Sequence, residues 1–317
     1  MLKRRCSPSA GEQRTTAAAI HRIVSPRPCI FLVDGSSFIF RAFYAIPPLN
    51  HSTGLPTNAI FGFTNILLKF LKQHRPVYAA VALDAGRETF RNRMFAGYKA
   101  NRRQPPVALL PQLPYFRRVL EGLNLPILEL AGYEADDIIA TACETMADQD
   151  CEYVIVSSDK DLMQLVSDRI KLLDSTKDRW INAAEVQSKF GVLPDRVIQV
   201  MGLMGDAVDN IPGIKGIGEK TAIALIQQFG TLENLFNRLE EVATLTFRGA
   251  IRLRRILEDG KAAAFLSRDL ATVKRDVPIT MRLDDFKLTG PSHEKLRSLF
   301  HQLEFTNLTI LLDNGRL

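Results

Sequence analysis

Nine acidic residues have the type and spacing to hold metal ions. They stand where predicted strands end or helices begin, in the patterns E-x-D-D, D-x-D and D-x-x-D. They are Asp34, Asp84, Glu134, Asp136, Asp137, Asp159, Asp161, Asp206 and Asp209. Two carboxylates about 5 Å apart repel each other by roughly 3 kcal/mol at an effective dielectric of about 20. If these acids converge, they therefore require divalent cations with oxygen ligands, most plausibly Mg²⁺ or Mn²⁺.

Short apolar runs predict strands whose carboxyl ends carry several of these acids. The four runs lie at 29–33, 78–83, 126–130 and 153–156. Segments with helical spacing, such as Asn58–His74, separate the runs, so the pattern predicts an α/β fold with a parallel or mostly parallel sheet. Asp34, Asp84 and Asp159 each follow a different strand. That edge of a parallel sheet is where ligands bind.

Helix ends supply the other acids. Glu134 and Asp137 lie three apart in the first turn of a predicted helix, so they share one face, and the helix N-terminus tolerates their charge. Asp206 and Asp209 are three apart after a predicted helix at 196–204. Any one acid alone is as well explained as a cap. Seven acids at three strand ends and one helix start favour convergence on one edge.

A glycine-rich turn follows the last acid, over residues 210–221. It is similar to the nucleotide loop G-x-x-x-x-G-K-[ST], but Glu219 separates the last glycine from the lysine and no strand precedes it. We predict two helices joined by a turn that grips a nucleic-acid backbone without reading bases. An ordinary helix–turn–helix packing element is the alternative. The residues predicted to make the contacts are Gly213, Lys215, Gly216, Gly218 and Lys220.

A basic segment lies between the second and third predicted strands. Residues 85–118 hold eight Lys or Arg and one acid. Phe95 and Tyr98 interleave with these cations, and such rings can stack on unpaired bases. Lys99 or Arg102 could stabilise charge on a scissile phosphate. A solvated loop without function is the alternative, but basic patches beside an acidic cluster suit an enzyme acting on a polyanion.

Composition limits the class of protein. The 317 residues are 46% hydrophobic and 24% charged, with a net charge of +6, which is typical of a globular chain of one large or two ordinary domains. No apolar run approaches the roughly 20 residues that cross a bilayer. Four cysteines without C-x-x-C spacing predict reduced thiols. Residues 1–28 predict a disordered basic tail on a cytoplasmic protein, with an organellar transit peptide as the alternative.

Seven stretches follow one another in an order shared by one group of nucleases. They are LVDGSSFIFRAFYAIPPL (32–49), GLPTNAIFGF (54–63), AVALDAG (80–86), YKANR (98–102), GYEADDIIAT (132–141), VSSDKDLMQLV (156–166) and LMGDAVDNIPGIKGIGEKTA (203–222). On these residues the chain resembles the 5′–3′ exonuclease domain of bacterial DNA polymerase I and, more broadly, the flap endonuclease superfamily. The similarity covers about residues 29–310.

The resemblance implies a ligand set. All nine acids fall on the family's metal-binding carboxylates, which hold two Mg²⁺ ions, with Mn²⁺ able to substitute. Lys99 and Arg102 correspond to active-site cations. The resemblance also assigns DNA contacts to Arg41 and Tyr98, and Arg103 of the basic segment is predicted to contact DNA as well.

The resemblance further implies an architecture. A PIN-like α/β domain is expected at 29–197, with a helical arch over about 85–118. A SAM-like, all-α helix–three-turn–helix domain is expected at 198–310, where the glycine turn binds duplex DNA together with a K⁺ ion.

These features predict a structure-specific, metal-dependent 5′–3′ exonuclease or 5′-flap endonuclease. The expected substrates are DNA with a 5′ end or flap and RNA-primed DNA, and the expected setting is a monomer at the bacterial nucleoid that cooperates with a polymerase and a ligase. A non-catalytic DNA-binding scaffold has no reason to keep nine costly acids. A D-x-D phosphatase leaves the glycine turn and the basic segment unexplained. The sequence leaves open whether exonuclease or flap-endonuclease cleavage dominates. It also leaves open whether the chain is a stand-alone protein or a truncated polymerase.

Overall fold

A six-stranded sheet forms the centre of the computed structural model, which describes residues 27–146, 149–242 and 250–317. The strands are β1 (Cys29–Asp34), β2 (Tyr78–Ala82), β3 (Ile127–Leu128), β4 (Glu152–Val156), β5 (Ile170–Asp174) and β6 (Arg179–Ile181). Their order is β3-β2-β1-β4-β5-β6, and only the β5–β6 pair is antiparallel within this sheet. The prediction of a mostly parallel α/β sheet is confirmed. The predicted basic tail at 1–28 lies almost wholly outside the described residues.

Thirteen α-helices accompany the sheet in the described parts of the chain. They are α1 (Gly35–Ala45), α2 (Asn58–His74), α3 (Phe90–Met94), α4 (Leu113–Gly122), α5 (Ala135–Thr145), α6 (Ala183–Phe190), α7 (Val197–Met204), α8 (Glu219–Phe229), α9 (Leu232–Asn237), α10 (Leu239–Val242), α11 (Ala250–Ala271), α12 (His293–Gln302) and α13 (Thr306–Asp313). In the residues described, no helix combines the length and apolar character needed to cross a membrane.

Alternating side chains of the central strands build two separate cores. Phe31 and Val33 of β1 face a cluster that includes residues of α1, α2 and α4. Ile30 and Leu32 face the opposite cluster, which includes residues of α5 and of helices α7–α11. Because side chains alternate along a strand, a run that is apolar at every position buries both faces of the sheet. At the carboxyl edge the apolar strands end, and polar groups gather there.

The last two helices return to the first core. Leu296, Phe300 and Leu308 are buried in the cluster that contains α1 and α2. The chain enters this position along the sheet, where the Leu288 amide donates to the Val77 carbonyl at 2.9 Å. The predicted helical domain at 198–310 therefore needs correction, because its last part packs with the sheet domain. Apolar periodicity shows that α12 has a buried face but not which core that face joins.

The predicted helical arch at 85–118 is only partly helical. Its helices are α3, a 3₁₀ turn at Leu110–Gln112 and the start of α4. The residues between follow turns, and Lys99 has a left-handed φ of 54°. Pro105 and Pro106 remove two backbone donors there, which disfavours a continuous helix. The tip instead docks on the loop after α7, where the Lys99 amide donates to the Asp209 carbonyl at 2.9 Å.

The glycine turn joins α7 to α8, as the two-helix interpretation predicts. Gly205 and Gly213 face each other closely and have positive φ values of 70° and 57°. A Cβ atom on Gly213 would collide with the Gly205 backbone nitrogen, so glycine is required there. Asp206 and Ile211 exchange backbone hydrogen bonds of 2.9 and 2.8 Å. This compact loop fixes the acids that follow α7 relative to the turn.

Candidate active site

The ends of β1 and β2 bring the first two acids to the carboxyl edge. Asp34 caps α1 by accepting from the Ser37 amide at 3.0 Å, and it also accepts from Ser157 Oγ at 2.7 Å. Burial raises the pKa of Asp34, these hydrogen bonds oppose the increase, and nearby Asp84 adds to it. Asp84 Oδ1 accepts from the Ala135 amide at 2.8 Å. This bond ties the end of β2 to the start of α5.

The first turn of α5 presents Glu134 and Asp136. Glu134 Oε2 accepts from Lys99 Nζ at 2.9 Å and from Tyr98 Oη at 3.1 Å. The pKa of Asp136 lies well above its usual range because the side chain is buried and because Asp159 and Asp34 add like charge. The helix N-terminus therefore concentrates negative charge that the protein itself only partly neutralises.

The turn after β4 carries two further acids of the edge, Asp159 and Asp161. Asp161 Oδ1 is buried and has no hydrogen-bond partner. Burial raises the pKa of Asp161 to about 7, and the charges of Asp159 and Asp209 contribute to the increase. Asp159 itself accepts from the Asp161 amide at 2.9 Å, which holds the turn in shape. A buried acceptor without a donor is expensive, so a cation is the partner that fits this position.

The loop after α7 contributes the last two acids, and basic side chains hold both. Asp206 Oδ2 lies 2.8 Å from Lys160 Nζ. Asp209 pairs with Arg102, and its other oxygen lies 3.6 Å from Lys99 Nζ. Lys160 was not among the predicted site residues. Its position between Asp159 and Asp161 in the sequence was the available signal.

Asp137 departs from the expectation that it binds metal. Its side chain is fully buried, and its two oxygens accept from Arg91 Nη1 and Nη2, each at 2.7 Å. They also accept from the amides of Lys274 at 2.8 Å and Glu134 at 3.1 Å. Four donors saturate this carboxylate. Three residues after Glu134, Asp137 turns inward from the edge, so we correct its assignment to a structural ion pair.

Eight of the nine predicted acids thus lie along one edge. Their negative charges contribute to the raised pKa values of Asp34, Asp136 and Asp161. In the conformation described, however, no three acidic, histidine or cysteine side chains of residues 27–146, 149–242 and 250–317 form a group that could hold a metal ion as they stand. Lys99, Arg102 and Lys160 pair with oxygens of three of these acids, Glu134, Asp209 and Asp206. The donor set, all oxygen with one buried orphan at Asp161, fits hard divalent cations.

Tyr98 and Gly213 also differ from their expected roles as DNA contacts. Tyr98 is only 4% exposed, and its ring packs near the guanidinium of Arg91 and the ammonium of Lys99. A ring buried this way cannot stack on a base without a rearrangement. Gly213 is buried against the end of α7. Both residues therefore support the site from the protein interior and do not lie on its surface.

The other predicted contacts lie on accessible surface. Lys215, Gly216, Gly218 and Lys220 are exposed on the glycine turn, and Arg103 is exposed beside the edge. Arg41 is partly buried next to β5, where its Nη1 donates to Ser175 Oγ at 3.0 Å. Burial lowers the pKa of Arg41, while the charges of Asp174 and Asp34 oppose the decrease. Of these cations, Arg41 lies near enough to Asp34 for that charge to affect it.

Comparison with known proteins follows this geometry. Residues 29–191 match the family model "5′-3′ exonuclease, N-terminal resolvase-like domain", and residues 192–294 match "5′-3′ exonuclease, C-terminal SAM fold". A 5′-3′ exonuclease of Aquifex aeolicus is 37% identical over 88% of this chain and 93% of its own length. DNA polymerase I of Rhizobium leguminosarum is 42% identical over 92% of this chain but only 29% of its own length. The chain thus spans under a third of that relative.

Two solved structures share the fold. The flap endonuclease of bacteriophage T5, in a complex with DNA and metal ions, has a TM-score of 0.62 at 20% identity and covers 90% of this chain and 98% of its own. The catalytic core of Rad2 with a DNA substrate has a TM-score of 0.55 at 18% identity, covering 87% and 88% of the two chains. At these identities the likeness supports the fold.

Proposed function

We propose, because this chain belongs to the 5′-3′ exonuclease family, that it hydrolyses phosphodiester bonds at 5′ ends and 5′-flap junctions of DNA. The observation that carries the proposal is the acidic edge, where Asp136 and Asp161 hold raised pKa values and Asp161 Oδ1 lacks a partner. Acids with a purely structural role usually have hydrogen-bond or ion-pair partners. Burying these acids close together instead destabilises the fold. Such a cost is typical of a site that a ligand completes.

We assign Mg²⁺ as the preferred cation, with Mn²⁺ able to replace it. When bound, divalent cations supply Lewis-acid stabilisation of charge on the scissile phosphate. The residues proposed to hold them are Asp34, Asp84, Glu134, Asp136, Asp159, Asp161, Asp206 and Asp209. All are oxygen donors, and no nitrogen or sulfur ligand accompanies them in this set, which favours Mg²⁺ over zinc. We further propose that backbone carbonyls of the glycine turn take a K⁺ ion.

Lys99 and Arg102 are proposed as the catalytic cations. Burial alone would lower the pKa of Lys99, but the charges of Glu134, Tyr98 and Asp209 outweigh burial and raise it. An ammonium that stays protonated cannot act as a general base at neutral pH, so its role is electrostatic. If Glu134 and Asp209 held a bound cation, Lys99 and Arg102 would be released from these pairs and could contact the phosphate. Their ion pairs in this structure support such an exchange of partners.

The glycine turn is proposed to hold the duplex part of the substrate. Lys215 and Lys220 are exposed on either side of Gly216 and Gly218. Glycines let a phosphate approach the backbone, and the amides at the start of α8 can donate to it. These contacts carry no base-edge chemistry, so we expect binding that depends on salt and DNA shape rather than on sequence. Asp206 and Asp209 belong to the same loop, which links duplex binding to the acidic edge.

The biological setting is proposed from the relatives. Several are DNA polymerase I chains, so we place this protein in replication and repair beside a polymerase and a ligase, acting as a monomer on RNA-primed as well as flapped DNA. A cytoplasmic location at the nucleoid follows from that substrate. Arg41 and Arg103 are proposed to contact the DNA.

A cleavage assay tests the proposal. Purified protein is given a 5′-flap DNA, a recessed 5′ end and an RNA-primed duplex, each with Mg²⁺, with Mn²⁺ or with EDTA. We expect 5′ cleavage only with metal, and we expect Asp136→Asn to lose cleavage while still binding DNA in Ca²⁺. Asp195→Asn, which removes an exposed acid that is not among the nine predicted ligands, is the matched control and should cleave normally.

The outcomes separate the alternatives. Binding of the flap without cleavage by the wild-type protein would indicate a scaffold. Release of phosphate from monoesters without cutting of diesters would indicate a phosphatase. Unchanged cleavage by Asp136→Asn would contradict the mechanism even if the activity itself is present.

A further inference from the structure

A buried ion pair stands behind the acidic edge, and the chemistry proposed above makes no use of it. Arg91 is 2% exposed and Asp137 is fully buried. The guanidinium binds the carboxylate with two parallel hydrogen bonds of 2.7 Å. Taking both charges out of water is costly, and apolar residues of similar volume would often stabilise a fold equally well. The pair therefore needs an explanation beyond stability.

The pair joins the basic segment to the helical region. Arg91 belongs to α3, the first helix of the basic segment. Its Nε donates to the Leu270 carbonyl at 2.8 Å, and its Nη2 donates to the Thr272 carbonyl at 2.9 Å. Both carbonyls lie at the C-terminal end of α11. Asp137 accepts from the Lys274 amide at 2.8 Å, so the same pair also holds the chain that leaves α11.

The pair also fixes Glu134, an acid at the edge. Asp137 Oδ2 accepts from the Glu134 amide at 3.1 Å, and Arg91 Nη1 lies 3.6 Å from Glu134 Oε2. From the other side, Tyr98 and Lys99 of the basic segment hold that same Oε2. The orientation of the Glu134 carboxylate is therefore fixed by groups whose own positions depend on α3.

We propose that Arg91, acting with Asp137, is a positioning residue that sets the geometry of Glu134 according to the position of α11. This inference rests on the proposed function. The segment 246–275, which includes α11, holds eight Lys or Arg against three acids. Arg254, Arg268 and Arg275 pair with acids outside the segment, so we expect DNA to compete for these cations and to displace the helix that ends at the pair. Rigid hydrogen bonds between buried groups transmit such a displacement to Glu134 without a change of fold. Asp137 thus serves the site from behind instead of binding metal.

The experiment must avoid leaving one charge buried alone, since that unfolds proteins. The double variant Arg91→Met with Asp137→Asn removes both charges together and keeps an acceptor for the Lys274 amide. Thr141→Val is the matched control, because Thr141 Oγ1 also binds this part of the chain, accepting from the Val277 amide at 3.1 Å, without contacting Glu134. Arg91→Lys keeps the charge with fewer donors and serves as the rescue variant.

Three measurements are made on the full chain. They are single-turnover cleavage of a 5′ flap, the Mg²⁺ concentration for half-maximal rate, and hydrogen–deuterium exchange of peptides covering 131–140 and 270–277. We expect the double variant to lose about 10- to 100-fold in rate at saturating DNA and to need more Mg²⁺, the range typical of residues that orient metal ligands. Faster exchange should appear in both peptides, and Arg91→Lys should restore part of the rate.

A double variant with the rate and Mg²⁺ dependence of Thr141→Val would overturn the inference. If the double variant does not fold, Arg91→Lys decides alone. A lower rate with a higher Mg²⁺ requirement supports positioning, and a wild-type profile refutes it. Absence of cleavage by the wild-type protein would instead count against the proposed function, and the exchange data would still report whether the pair couples the two peptides.

Discussion

Neutralising Asp161 should stabilise the metal-free protein while abolishing its activity. The Asp161 carboxylate is buried among Asp159, Asp206 and Asp209, and one of its oxygens has no partner. Asparagine has the same shape and no charge, and its amide can donate to a neighbouring carboxylate. The substitution Asp161→Asn therefore removes the repulsion that a bound cation would otherwise offset.

The magnitude follows from the pKa. Burial and like charge raise the pKa of Asp161 to about 7, whereas an unfolded aspartate titrates near 3.9. Each pKa unit corresponds to about 1.4 kcal/mol, so the ionised group destabilises the fold by at most about 4 kcal/mol above pH 7. Because the folded-state pKa is the higher one, stability is lost as pH rises from about 4 to 7. Burying the asparagine amide still costs free energy. We therefore expect Asp161→Asn to raise the free energy of unfolding by about 2 kcal/mol at pH 8.

Urea unfolding in EDTA measures this gain at pH 8 and pH 5. The difference between Asp161→Asn and wild type should disappear at pH 5, because the wild-type protein regains about 2 to 3 kcal/mol of stability once its carboxyl is mostly protonated. Adding Mg²⁺ should stabilise the wild type more than the variant. Asp168→Asn, at an exposed position, is the control and should change little. A variant less stable than wild type at pH 8 in EDTA would refute the reasoning.

Three other outcomes are expected. Lys99→Met should lower the single-turnover cleavage rate by about 100-fold while lowering the Mg²⁺ needed for half-maximal rate, because it frees Glu134; an unchanged rate would contradict an electrostatic role. Gly213→Ala should reduce the free energy of unfolding in urea by at least about 2 kcal/mol, since φ is 57° and a Cβ would collide with backbone, whereas Gly86→Ala, with open space around it, should be tolerated. Burial raises the pKa of Cys29 to about 11, so at pH 8 its thiol should react with iodoacetamide roughly 100-fold more slowly than a model thiol. Mass spectrometry of the peptide that contains Cys29 measures this rate. Equal rates would show that the thiol is not buried.

Local patterns were sufficient to predict the acidic edge. A strand that is apolar at every position must be buried on both faces, so an aspartate at its end, such as Asp34 or Asp84, lies on the carboxyl rim. Sequence spacing also identified the two helices around the glycine turn. The strands β5 and β6 were missed because Lys171 interrupts one short run and the other spans three residues at the sheet edge.

Long-range partners were not predictable in the same way. Nothing within the run E-x-D-D distinguishes Asp136, which faces the edge, from Asp137, which binds Arg91 far along the chain. Tyr98 reads as an exposed aromatic among cations until the fold buries it against Glu134. In both cases the deciding contact joins residues more than 30 positions apart, and neither periodicity nor composition records such a contact.

The return of α12 and α13 to the sheet has a consequence for the order in which the molecule is made. Leu296, Phe300 and Leu308 lie in a core whose buried members before residue 296 all fall between Phe31 and Leu173. During synthesis the ribosome releases the six strands first, yet α12 and α13 emerge only after helices α7–α11. A nascent chain therefore carries the acids in a fold that is not yet closed. We therefore expect this core to close only after α12 and α13 have been synthesised.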